Sequence, residues 1–316
     1  MPHADMSHWQ RLYRQADFEH VSARSVAELN ERAQLSRSAE HPHLFRDLPE
    51  GVDVETGVPI RDGVTAEIYR PAEREFALPV FLHIHGGGWF TGSARVERRW
   101  CMNIAKAGFV VVNIDYRLAP ENPFPAGLED CVFASRWITA NIARYGGDPT
   151  RLSVGGGSAG ANLAALTALV LHGDDQGLDG GELAGTPVTF RAVLLLFGVL
   201  DVHRWVSEPG YYAGDVEIMM QAYLGPNFTG KLRHPLVSPI EHPSLAELPP
   251  TYISVGAEDA FLGQCFAFAE ALSGRDVPVT VSVVANADHE FHKIPEFVPN
   301  AAGENRRIIE WLAAHV

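Results

Sequence analysis

Cysteine, positive charge and long apolar runs are all scarce in this 316-residue chain, and each shortage excludes a class of protein. The three cysteines, Cys101, Cys131 and Cys265, are too few and too scattered for a disulfide framework or a cysteine-rich zinc site. They read as small core residues. Lys and Arg number 25 against 39 Asp and Glu, a net charge of −14, so the surface repels nucleic-acid backbones and anionic lipid. The longest apolar stretches, 161–171 (broken by Asn162 and Thr167) and 192–200, fall short of the ~20 residues that cross a bilayer. The first ten residues carry no apolar run of the kind a secretory signal needs. These shortages together predict a reduced, cytoplasmic globular chain with no membrane span and no nucleic-acid partner.

What is present is rhythm. From about residue 51, short β-branched runs alternate with longer helical segments. Residues 64–70 alternate like a half-exposed strand, whereas 79–85 and 109–115 are apolar runs typical of strands buried on both faces. Further strands are expected at 151–155, 190–197, 251–255 and 277–284. Helical spacing is expected over 94–107, 126–145, 158–172, 262–273 and 300–316. This pattern predicts an α/β fold with a mostly parallel sheet of about eight strands and helices on both faces. Two polar or irregular regions, 1–48 and 201–240, break the rhythm. Both are candidates for a cap over the carboxyl ends of the strands, where open α/β sheets bind ligands. Residues 174–181 form a Gly/Asp-rich turn without the residue order of a calcium loop.

The chemistry concentrates where a strand meets a helix. Gly156-Gly157-Ser158-Ala159-Gly160 satisfies G-x-S-x-G, a turn that lifts the serine hydroxyl above a sheet. Small residues there avoid clashes between strand and helix, and the helix N-terminus favours developing negative charge. Gly155, Gly157 and Gly160 also fit a dinucleotide loop, but the acid expected about 20 residues on falls in a polar loop instead of closing a strand. Upstream, His85-Gly86-Gly87-Gly88-Trp89 follows an apolar run. Three glycines there let backbone N–H groups crowd a small oxyanion, and a plain turn is the alternative. A serine hydroxyl needs a histidine to take its proton and a carboxylate to orient that histidine. Asp259 follows the run at 251–255 and His289 the run at 277–284, in the chain order such a sheet requires. Glu258 competes for the acid role and His292 for the base. His289 and His292 are spaced i, i+3, which does not fit the i, i+4 pair of a helical metal site.

Several segments in register with these residues resemble the hormone-sensitive-lipase-like branch of the α/β-hydrolases, the bacterial HGGG esterases. They are residues 85–89, Asp115 to Glu121 (Asp-Tyr-Arg-Leu-Ala-Pro-Glu), 124–130, the serine turn, 234–239 and 248–252. The resemblance covers about residues 50–316. It implies an α/β-hydrolase fold with a helical cap: an N-terminal cap segment at 1–48, a catalytic domain at 49–316, and a cap insert at about 201–236. It makes Ser158 the nucleophile, His289 the base and Asp259 the orienting acid, with the N–H groups of Gly87, Gly88 and Ala159 as oxyanion hole and neither cofactor nor metal. Residues 115–121 would brace the site. Departures from the family pattern are Gly157 in place of an acid, Ala161 in place of a glycine, Gly263 in a segment that has lost its second acid, and Glu290 in place of the glycine after the histidine.

The implied activity is hydrolysis of small to medium acyl esters through an acyl-enzyme. The same machinery also fits an amidase or arylformamidase, and a non-catalytic small-molecule receptor is the reading from another class, which retention of all three triad residues disfavours. Trp89 and Phe90 are expected to line the substrate pocket, and Tyr211, Tyr212, Met219 and Phe291 are weaker candidates. The valines of 277–284 share one face of what reads as an edge strand. An open edge invites a homodimer, and a covered edge is the alternative.

Overall fold

In the computed structural model, which describes residues 23–38, 47–173, 178, 181–210, 213–296 and 298–316, eight strands form one sheet in the order β1-β2-β4-β3-β5-β6-β7-β8. They are β1 (Val52–Arg61), β2 (Val64–Pro71), β3 (Leu78–Ile84), β4 (Val110–Asp115), β5 (Gly147–Gly157), β6 (Phe190–Leu196), β7 (Thr251–Gly256) and β8 (Val279–Val284). β2 is antiparallel to both its neighbours, and β3 to β8 are parallel throughout. β-Branched side chains suit a pleated surface covered on both sides. Accordingly β4 buries every residue but Asp115, and β7 buries all of its own.

The α-helices among the described residues are α1 (Val26–Ser38), α2 (Arg98–Lys106), α3 (Ala126–Asn141), α4 (Ala159–His172), α5 (Val202–Ser207), α6 (Val216–Leu224), α7 (Leu262–Ser273) and α8 (Ala301–Ala314). From β3 the chain crosses through α2 to β4 on one side, then returns through α3 to β5 on the other. Right-handed crossovers in opposite directions place α2 and α3 on opposite faces of the sheet. The reversal also opens a crevice at the carboxyl ends of β3 and β5, the switch point where such sheets hold ligands.

Most expected elements appear within a few residues of their expected ends. The helix expected at 94–107 begins as a 3-10 turn, Ala94–Glu97, before α2. The one expected at 126–145 divides into α3 and a 3-10 turn, Ile142–Tyr145, stopped by left-handed Gly146. β1 was not among the assigned runs, and its burial explains why. Five successive residues, Asp53 to Gly57, are exposed, so the strand carries no sustained apolar alternation. β8 lies at the opposite edge, as expected, with Val283 43% exposed.

Of the segment 1–48, only 23–38 and 47–48 fall within the described residues. There α1 packs against α6, and the Ala23 N–H donates to Asp215 Oδ1 at 3.2 Å. The region 201–236 contains α5, α6 and the 3-10 turn Phe228–Lys231. Most of the expected turn at 174–181 lies outside the described residues.

Candidate active site

Ser158 sits between the last residue of β5 and the first of α4, at φ 56° and ψ −120°, a strained conformation for a residue with a Cβ. Two glycines make this turn feasible. A Cβ on Gly156 or on Gly160 would overlap the carbonyl oxygen of Ile84, where β3 ends. The serine is therefore pressed between β3 and β5, and it is 7% exposed.

The carboxyl end of β3 leads straight into the glycine turn. Gly87 and Gly88 take φ 115° and 60°, values that suit glycine, and the turn closes through Thr91 N–H donating to the Gly87 carbonyl at 2.9 Å. Among the described residues the N–H groups of Gly87 and Gly88 donate to no other group. Ala159 is the first residue of α4, where a helical N–H has no partner within the helix. All three donors belong to the two strand ends at the switch point.

His85 begins this turn and is buried. Its ring stacks on Tyr116 with centroids 4.3 Å apart, and the Tyr116 hydroxyl donates to the His85 carbonyl at 3.1 Å. Burial pushes the imidazole down to about 4, so it is neutral at physiological pH. Arg117 N–H and guanidinium both bind buried Asp130, at 2.9 and 2.8 Å, and Asp115 Oδ1 accepts from Ala94 N–H at 2.6 Å. Residues 115–117 are thus held in place on both sides, with Tyr116 packed on the first residue of the glycine turn.

Asp259 and His289 follow β7 and β8. His289 Nδ1 lies 2.9 Å from Asp259 Oδ2, while Asp259 Oδ1 accepts the Phe261 N–H at 2.8 Å, so both carboxylate oxygens are engaged. With Nδ1 carrying the proton, Nε2 is left as the acceptor. Burial depresses the His289 imidazolium, but the charges of Asp259, Glu290 and Asp288 outweigh it and hold the ring above the ordinary histidine range. Glu258, the competing acid, is exposed. His292, the competing base, is buried against Glu97 and edge-on to Trp100, away from Asp259.

Two contacts bring these strand ends together. The Phe197 ring lies 4.8 Å from the His289 ring between centroids, and 2.7 Å from where a Cβ on Gly157 would stand. Residue 157 is a glycine because Phe197, itself at φ 39°, fills the space an acidic side chain would need. Second, Ser158 Cβ and Glu290 Oε1 approach the same point, the Cβ position of Gly86, to 3.5 and 3.6 Å.

Of the expected pocket residues, Met219 on α6 places Cε 2.9 Å from the Cβ position of Gly88, and the Phe90 ring covers that glycine as well. Trp89 stacks on Tyr223 at 4.2 Å and tilts towards Trp205, which meets Phe261 edge-on; Phe261 in turn meets the His289 ring. An aromatic wall therefore runs from the glycine turn to the histidine. Phe291 has no exposed surface and packs behind Phe197, a core position instead of a pocket wall. Tyr211 and Tyr212 lie outside the described residues. Phe197, Trp205, Phe261 and Tyr223 are not among the pocket residues expected from sequence, although Trp205 and Tyr223 lie in the expected cap region, because a core aromatic and a site aromatic look alike in one chain. Among the described residues no cluster of three His, Cys, Asp or Glu side chains could hold a metal ion, and no helix is long and apolar enough to cross a membrane.

A family model described as alpha/beta hydrolase fold matches residues 81–293. A carboxylesterase from Mycobacterium tuberculosis is 29% identical over 287 residues, covering 86% of this chain and 84% of its own. An acetyl-hydrolase from Streptomyces hygroscopicus is 33% identical over 267 residues, covering 80% and 81%. Among solved structures, a hyperthermophilic esterase from the archaeon Pyrobaculum calidifontis superposes with a TM-score of 0.78 at 25% identity over 97% of each chain. A bacterial heroin esterase does so with a TM-score of 0.78 at 26% identity, covering 95% of this chain and 96% of its own. With two thirds of its length matched and its strand order and serine turn in place, this chain belongs to the alpha/beta hydrolase fold family.

Proposed function

We propose that the protein is a serine carboxylic-ester hydrolase acting on small to medium acyl esters. Ser158 Oγ attacks the ester carbonyl while His289 Nε2 accepts its proton. Asp259 holds the Nδ1–H and stabilises the imidazolium. The tetrahedral oxyanion is received by the N–H groups of Gly87, Gly88 and Ala159. His289 then protonates the leaving alkoxide and activates the water that releases the acid. One observation carries this reading: an aspartate-anchored histidine after β8 and a serine in a strained strand-to-helix turn after β5 lie at the same end of the sheet, with the Phe197 ring against both His289 and the Cβ position of Gly157, the residue before the serine.

Support comes also from relatives named as esterases. In this reading α1 and the region 201–236 form the cap over the catalytic domain at 49–316, and Trp89, Phe90 and Met219 shape the acyl pocket. The exposed edge at β8 offers residues 277–284 for pairing with a second copy, which gel filtration would reveal as a dimer.

The test is a nitrophenyl ester series of increasing acyl length, assayed beside an anilide and an aryl formamide. The expected result is ester turnover that declines with chain length and exceeds both amide rates. Faster cleavage of the formamide would reassign the bond. Hydrolysis of none, with correctly folded protein, would contradict the reading.

A further inference from the structure

Behind the glycine turn lies a buried ionic chain that the proposed triad does not use. Lys293 Nζ sits 2.8 Å from Glu97 Oε1 and 2.8 Å from Glu290 Oε1. Glu97 also faces His292 Nε2 at 3.4 Å and His83 Nε2 at 3.7 Å. Glu97 is 2% exposed and Lys293 8%. Burying charges is costly even when they are paired, so a well-packed apolar cluster would hold this region at least as well. The chain ends at Glu290, the residue after His289, whose Oε1 lies 3.6 Å from where a Cβ on Gly86 would stand, a point 3.5 Å from Ser158 Cβ.

The backbone adds a second observation. Glu290 lies at φ 58° and ψ 18°, a left-handed conformation that glycine adopts freely and glutamate does not. Its carbonyl accepts the Lys293 N–H at 3.1 Å, closing the 3-10 turn Phe291–Lys293. A strained glutamate is thus tied at both main chain and side chain to the lysine that anchors the loop.

We propose that the Glu290 carboxylate, clamped by Lys293 onto Glu97, is a positioning residue that fixes the His289 loop and sets the electrostatic field at the imidazole. This rests on the assignment of His289 as the general base. Glu290 stays ionised because Lys293 and His289 outweigh its burial. The groups facing His289 are Asp259, Asp288 and Glu290, with Glu258 next to Asp259. Those behind Glu290 are Lys293, Glu97, His83, His85, His292 and Cys101. Asp288, pushed up to about 6 mainly by burial, titrates near the histidine, but it is common to the parent and to variants at 290. The sign follows directly. A negative neighbour favours the imidazolium, so removing it lets the base remain neutral to lower pH.

The experiment compares the parent with Glu290→Gln and Glu290→Gly, the second relieving the left-handed strain. The pH profile of kcat/KM is measured on a nitrophenyl ester. The His289 ring is titrated by proton NMR, its signal identified by loss in His289→Asn. The expected result is an acid limb and a ring titration both displaced downward by about 0.5 to 1 pH unit in each variant. Rates that fall with both quantities at their parental values in both variants would overturn the proposal and leave Glu290 a structural residue. A displaced ring titration in a chain with no ester turnover would uphold the proposal and refute the ester-hydrolase reading instead.

Discussion

At residue 157 the chain departs from its family and the structure supplies the reason. A side chain there would run into the Phe197 ring, which also meets His289 edge-on. Restoring an acid by Gly157→Asp is therefore expected to destabilise the fold by about 1–3 kcal/mol, the usual cost of overpacking. The melting temperature should fall, and Phe197→Ala in the same chain should return part of it. Additive losses in the double variant would show that the two sites do not share this space. Ser158 is a different case, since its strain belongs to the turn that joins β5 to α4 and its side chain fills no aromatic contact among the described residues. Ser158→Ala should leave the melting temperature within a few degrees while ester turnover drops roughly 10⁶-fold, as in other triads. The sequence displayed Ser158, Asp259 and His289 because each follows a β-branched or apolar run that reads as a strand. It could not display Phe197, whose importance depends on a ring projecting across two strand ends.

Elements are held together here by buried charges as well as by apolar packing. Glu304 on α8, fully buried, accepts from Ser254 at 2.7 Å and Tyr252 at 3.0 Å on β7, and from Ser282 at 2.9 Å on β8. Glu304→Ala strips three hydroxyls of their acceptor. A loss of about 1–3 kcal/mol in chemical denaturation is expected, and no loss would mean the hydroxyls re-pair within the sheet. Lys293→Met is expected to cost more, about 3–5 kcal/mol, because it strands Glu97 and Glu290 without their cation. In the folded chain both carboxyls lie below the usual carboxylate range, Lys293 outweighing their burial. Their contribution to stability is thus complete above the unfolded value near 4.5 and lost as pH falls through the lower folded value. Lys293→Met should weaken that acid dependence as well as lower the plateau. Of these residues only Glu290 stood out in the sequence, as the residue after His289; its partners did not. Glu97 lies nearly 200 positions from Glu290 and Lys293, and charged residues in single sequences read as surface.

For the molecule as a whole, the order of strands explains why one end of the sheet carries the chemistry. Reversal of direction at β3 and β5 makes their carboxyl ends the switch point of the sheet, and β7 and β8 bring Asp259 and His289 to the same edge. This much followed from sequence, because parallel buried strands leave few topologies open. A cap formed from 1–48 and 201–236 was likewise a sequence expectation, although which of their elements meet was not. α1 packs on α6, and α6 places Met219 over Gly88. Removal of residues 1–38 is expected to lower kcat/KM roughly tenfold or more with the far-UV spectrum of the sheet intact; unchanged kinetics would detach α1 from the site.

The central claim is that Ser158, activated by His289, is the reacting group. It is tested most directly by treating the protein with a fluorophosphonate and locating the adduct by peptide mass spectrometry. A single stoichiometric adduct on Ser158 is expected, forming more slowly in His289→Ala by about a hundredfold or more, on the order of the effects of general-base catalysis. An adduct on another residue, or one whose rate ignores the loss of His289, would contradict it.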